Sequence, residues 1–387
     1  PRAMDLSTSV LEAQKNAHPD LGDLYDKLND QEQRKLWHQV TVTLEQLVQA
    51  PAFASGTELL DLYSGFICKF ENNLNKMRLV HLQLIISKQC RDPAEAIAFM
   101  AAAADSVHKF TDEIEAYLLC RLEVGRLHLV LGDVEACKKV TEEAQVALGN
   151  LAEVDQSVNS ANYFLNSLLH KHLGNAAEFY KNSLLYLAYT PLESLPQTQR
   201  HELAVELSLA ALTGEKVYQF GELLLHPILS NLEGTSYDWL RELLVAFNVG
   251  SLQDFERITA TYKAQMDAHP VLRDSAQALR EKIRIFALME LIRDRPASDR
   301  TIKFEDVHRR CGVAVLEVEF LVMKARSLEL VKGVIDQVDQ NVRVTWVQPR
   351  VLDITAIKKF DSRLTEWIKR VAETEVFLDN ETPEILA

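Results

Sequence analysis

The sequence predicts a mainly α-helical protein: a helical-repeat, tetratricopeptide-like solenoid followed by a C-terminal winged helix and a terminal helix. Three observations carry that prediction. Glycine and proline are scarce, 13 and 11 in 387 residues, which disfavours a turn-rich all-β chain and favours helices on short connections. An apolar–Gly–polar corner recurs three times in the middle of the chain. Near Val331 the apolar spacing falls from the helical three-to-four to the strand period of two.

The helices come first. Trp37, Val40, Leu44, Leu47 and Val48 fall on one helical face, with Pro51 just beyond as a stop. Leu279, Ile283, Phe286 and Met289 repeat the stripe, interleaved with Arg280, Glu281, Lys282 and Arg284. Both read as core-facing surfaces that need no cofactor. The corners are LGDVEACKKV from Leu131, LGNAAEFYKN from Leu173 and VGSLQDFERI from Val249. In each, glycine supplies the positive φ that ends one helix, and Asp133, Asn175 or Ser251 is expected to cap the next. Their spacing, about 40 residues and then about twice that, fits stacked antiparallel helix pairs.

The pattern changes after Asp294-Arg295-Pro296. A short strand over Thr301–Phe304, a helix to Cys311, a break at Gly312 and a second helix over Leu316–Leu328 lead into two β-branched runs, VKGVIDQV and NVRVTWV. That order is a winged helix, with Gly333 marking a bulge or close packing at the start of the wing. The wing should offer a strand edge able to extend a neighbour's sheet, and Val342 and Val344 are assigned to that contact. After Pro349 a last helix carries Ile354, Ile357, Phe360, Leu364, Trp367 and Val371 at steps averaging close to 3.5, a stripe that either seats partner helices or folds back on the chain's own winged helix. Leu378 continues the stripe before Pro383. The expected domains are an N-terminal repeat region (1–175), further helices (176–295), the winged helix (296–352), and the terminal helix and tail (353–387).

Composition narrows the function. Hydrophobic residues at 47% and charged residues at 25% suit a globular chain. A formal charge of −14 opposes non-specific binding of nucleic acid. The predicted winged helix is electrically balanced, with nine Lys/Arg against nine Asp/Glu over residues 298–353. Its second helix carries Glu317 and Glu319 where a DNA reader would approach phosphates, and Lys324 and Arg326 only at the far end. It therefore reads as a protein-interaction module, with Arg309 and Arg310 as solvated charges. Cys68, Cys90, Cys120, Cys137 and Cys311 share no metal-ligand spacing and read as reduced thiols, which points to cytosol or nucleus. The first residues lack a basic start and apolar run, Met4 reads as a native start, and no uncharged stretch is long enough to span a membrane.

Catalytic motifs are missing: no phosphate loop, no HExxH, no GxSxG and no paired CxxC. The best metal candidate is His170-Lys171-His172. A metalloprotease HxH needs Ser eight positions after the second His and Asp three further on, where this chain has Tyr180 and Ser183. On a helix the two histidines would also point about 200° apart. No catalytic, cofactor or metal residue is assigned.

A helical solenoid running into a winged helix is the arrangement of the PCI family, which builds the proteasome lid, the COP9 signalosome and translation initiation factor three. KLWHQVTVTLEQLVQ from Lys35, FGELLLHPIL from Phe220, FLVMKARSLELVKGVIDQVD from Phe320 and TWVQPRVLD from Thr345 resemble a lid member of that family. The resemblance runs from about Leu36 onward, and the first 30 residues carry little of it. It implies a non-catalytic structural subunit of the lid, in cytoplasm and nucleus, scaffolding assembly for ubiquitin-dependent degradation. Its partners would be other lid subunits, met side by side through winged helices and through a shared bundle of C-terminal helices. A deubiquitinase pair and a ubiquitin receptor would lie near, and nucleic acid and membrane would not be partners. The alternative is a PCI scaffold of the COP9 signalosome or translation initiation factor three.

Overall fold

The computed structural model describes residues 11–12, 14–15, 18–48, 50, 53, 56–108, 113–295, 299–350 and 354–381. The chain divides into two compact units, Pro1–Ser194 and Leu195–Ala387. In the first, α1 (Gly22–Gln33), α2 (Trp37–Val48), α3 (Glu58–Gly65) and α4 (Lys76–Ser87) close over one core. Val40, Leu44, Leu47 and Val48 are buried there as their spacing predicts, and Trp37 stacks on Phe70 with ring centroids 5.5 Å apart. Pro51 lies outside the described residues. A second core joins α4 to α5 (Pro93–His108), α6 (Ile114–Val130), α7 (Val134–Gly149) and α8 (Gln156–His172). The unit ends in α9 (Ala176–Tyr189), packed along α8.

The repeated corners form as the glycines dictate. Gly132, Gly174 and Gly250 adopt φ of +84°, +72° and +66°, a region costly for residues with a Cβ. Asp133 accepts from the Ala136 amide at 3.0 Å, and Ser251 from Asp254 at 3.3 Å. Asn175 makes no side-chain cap bond, contrary to the sequence expectation; its corner is held by its own backbone amide, which donates to His170 O at 3.0 Å. The boundary read at 175/176 therefore falls in a turn between two helices that pack together, with Phe164 against Tyr186 and Tyr163 stacked on Tyr189. The compact units part later, after Ser194.

The second unit runs α10 (Gln197–Thr213), α11 (Gly221–Leu225), α12 (Asp238–Val249), α13 (Leu252–Thr261), α14 (Lys263–Ala268), α15 (Pro270–Asp274) and α16 (Ala276–Asp294). Helix α16 is its spine, with Leu279, Ile283, Phe286 and Met289 all buried. Lys282, on the same helix, is also buried. Its Nζ donates to the carbonyls of Ala211 (2.7 Å), Leu212 (3.0 Å) and Gly214 (2.8 Å), closing the orphaned C-terminal end of α10. The winged helix follows: β1 (Thr301–Lys303), α17 (Phe304–Cys311), α18 (Val318–Ser327), β2 (Val331–Asp336) and β3 (Asn341–Val347). Gly312, at φ +60°, ends α17. The sheet is antiparallel with order β1-β3-β2, and its register shifts between Lys332 and Gly333. A Cβ at Gly333 would lie 2.5 Å from Arg343 O, so the glycine is required by the close approach of β3. The final helix is α19 (Ile354–Glu381).

Candidate partner-binding surfaces

Helix α19 is exposed along its described length. Ile357, Phe360, Leu364, Trp367 and Val371 all lie open to solvent, Trp367 at 63% exposure. Ile368, Val376 and Phe377 make the stripe wider than the sequence spacing predicts. The side chain of Ile354, assigned to the same seam, lies outside the described residues. Polar groups on the helix pair within it, as Arg370 does with Glu366 at 2.7 Å. Such pairs stabilise a helix only slightly; a helix of this length usually draws its stability from packing an apolar face.

The wing is arranged differently from the sequence assignment. Val342 and Val344, at 3% and 5% exposure, point into the winged-helix core, and β3 is the central strand with partners on both sides. Neither their side chains nor their backbone forms an edge. The outer strands are β1 and β2, and the solvent face carries exposed Val334, with Lys332 Nζ 5.1 Å from the Trp346 ring centroid.

Helix α18 buries Val318, Leu321, Val322 and Ala325 and turns Phe320 and Met323 outward, beyond exposed Leu316. Phe320 is 68% exposed. With Arg284 and Ile285 of α16, Phe320, Met323 and Lys324 line a groove of about 640 Å³. The face that reads bases in nucleic-acid-binding winged helices is thus apolar here, with Glu319 in its first turn and Lys324 and Arg326 confined to its last. Sequence analysis missed this face, although the two apolar sets of α18 at helical spacing could have revealed it.

The string WVQPR owes its character to packing. The Arg350 guanidinium is buried, pairs with the Glu290 carboxylate, and donates from Nη2 to Asn248 O and Oδ1, each at 2.9 Å. It also lies over the Phe286 ring, 4.8 Å from the centroid. This fixes the chain just before α19 to the helical part of its unit. Phe220 of the FGELLLHP string is fully buried against Phe247 and Phe286.

Among the described residues, no group of three or more His, Cys, Asp or Glu side chains could hold a metal ion. His170 is half-buried and His172 exposed, as their helical spacing predicts. The five cysteines are free, and burial pushes the thiols of Cys120 and Cys311 up to about 12, away from nucleophilic use. Among the described residues, no helix is long and apolar enough to cross a membrane.

Helical repeats leading into a winged helix with apolar rather than basic outer faces define a PCI-domain protein, and residues 259–346 match the PCI domain family. Residues 24–244 match the family described as PSD13 N-terminal repeats. The chain belongs to the family of 26S proteasome non-ATPase regulatory subunit 13. It is 39% identical over 380 residues to homolog B of that subunit in Arabidopsis thaliana, covering 97% of this chain and 98% of that protein. The Dictyostelium discoideum subunit is 34% identical over 380 residues, with the same coverage. A weaker likeness, 26% over 148 residues, links 38% of this chain to 37% of eukaryotic translation initiation factor 3 subunit M of Nematostella vectensis.

Proposed function

We propose that the chain is a non-catalytic scaffold of the 26S proteasome regulatory particle lid, joining neighbouring lid subunits through its winged helix and α19. The exposed apolar stripe of α19 carries this reading, because Phe360, Leu364 and Trp367 each gain about 1.5–3 kcal/mol when buried. A partner helix is the natural cover for a seam at near-heptad spacing. The outer strand β2 and the apolar face of α18 supply the lateral contact. A position near the deubiquitinase pair and a ubiquitin receptor, in cytoplasm and nucleus, accords with the family and with free thiols. The likeness to translation initiation factor 3 subunit M is weaker, at 23–26% identity, and does not carry this chain into that assembly.

Affinity purification of the tagged chain from cells, followed by mass spectrometry, tests the assignment. Lid subunits should dominate the eluate, and Phe360→Asp with Trp367→Asp should deplete them. Recovery of translation-initiation subunits in their place would transfer the scaffold to that assembly. The purified chain should show no ATPase, peptidase or deubiquitinase activity; ubiquitin-chain cleavage abolished by His170→Ala would overturn the non-catalytic reading.

A further inference from the structure

We infer that a cleft in the first unit binds an extended peptide segment of a partner protein and reads it through backbone amides. The cleft, of about 630 Å³, is lined by residues of α7, α8 and α9, within the range of ligand sites. Asn159, Asn162, Asn166 and His170 of α8 form its floor, at helical steps of three, four and four that place them on one face. Glu178 and Lys181 of α9 stand exposed at its rim.

This floor is not what a structural helix requires. Asparagine is a poor helix former because its amide competes with the backbone, and three of them share one face. Asn162 is buried there, where an aliphatic side chain would pack without a polar group to satisfy. The bonds these amides make are local ones that a ligand can replace. Asn166 Nδ2 donates to Asn162 O and Oδ1 (2.9 and 3.1 Å), and Asn159 Nδ2 reaches Val154 O at 3.4 Å. His170, at the end of the same row, has a buried Nδ1 with no hydrogen-bond partner, an uncommon condition for a buried polar atom.

The chemistry selects the occupant. A carboxamide offers one acceptor and two donors, the complement of the N–H and C=O of a peptide unit. From Asn159 to His170 the helix rises roughly 16 Å, about the length of five extended residues. The rim offers one acid and one base rather than a basic stripe, and the chain's charge of −14 disfavours nucleic acid.

The test uses the full chain and a displayed library of random dodecapeptides. Selected peptides should bind in fluorescence polarisation and lose at least about tenfold in affinity against Asn159→Ala/Asn166→Ala. That variant replaces half-buried residues with a better helix former, and its circular dichroism and melting temperature should match the parent. N-methylation of the central backbone amides of a selected peptide should cost a similar factor. Arg280→Ala, in the other unit, should leave affinity unchanged. The proposal fails if selection enriches nothing above a blank surface, if the double variant binds as tightly as the parent, or if N-methylated peptides keep their affinity.

Discussion

Glu290 and Arg350, sixty residues apart in sequence, form a buried ion pair in which each side chain is 6% exposed. Burial pushes Glu290 above the ordinary carboxylate range, and the Arg350 guanidinium opposes that rise. The second carboxylate oxygen pairs with Arg293, so one acid ties α16 both to itself and to the segment before α19.

Removing one partner of such a pair leaves a charge in a site prepared for two. Arg350→Ala should lower unfolding free energy by about 3–5 kcal/mol in urea titration. Arg350→Lys should recover little, because a single ammonium cannot serve Glu290 and Asn248 together. A variant within about 1 kcal/mol of the parent would show that the pair is replaceable.

Deleting the chain after Asp353 should leave the melting temperature of the isolated subunit nearly unchanged, since α19 is exposed throughout its described side chains. Co-purification with lid subunits should fall sharply. A truncated chain that melts several degrees lower yet assembles normally would make α19 an internal brace.

The glycines separate two kinds of constraint. Gly333→Ala drives a methyl to within 2.5 Å of a backbone oxygen and should cost more than about 2 kcal/mol by chemical unfolding. Gly132→Ala meets nothing within 4 Å and bears only the left-handed φ, about 1–2 kcal/mol. Equal losses at the two sites would contradict the bulge geometry.

Lys282 makes stability depend on pH. Burial lowers its pKa from 10.5 to about 7, so above that pH the folded chain holds fewer protons than the unfolded one. Stability from this group therefore rises as pH increases from about 7 towards 10. Between pH 7 and 8.5 the gain relative to Lys282→Met should reach about 1.6 kcal/mol, read as a difference of urea midpoints. A flat difference would show that the three carbonyl acceptors keep the ammonium protonated.

Much of the fold was legible because its signals are local. The stripes at Val40–Val48 and Leu279–Met289 and the corners at Gly132 and Gly174 each depend on residues within a turn or two. What escaped depends on distance. β1 inserts beside β3 from about 40 residues upstream, and that pairing moves Val342 and Val344 from an edge to the interior. The alternation fixed a strand without saying which face meets the core. Helix α18 carries apolar residues on two sides, so its outward Phe320 and Met323 merged into the core pattern. The partner of Arg350 has no periodic signature at all. Along α19 the apolar stripe from Ile357 to Val371 follows from the helix's own spacing, whereas what covers it does not.

The glycine corners also bear on how such a chain can change length. At Gly132 and Gly174 an added methyl would touch nothing within 4 Å, and backbone bonds among each corner's own few residues close it. At Gly250 the same methyl would lie 3.0 Å from Ala287 Cα and N, in the middle of α16. An inserted residue should therefore be tolerated better at the first two corners than at the third, which is a keystone. Its length should be the same in every relative whose α16 packs as it does here.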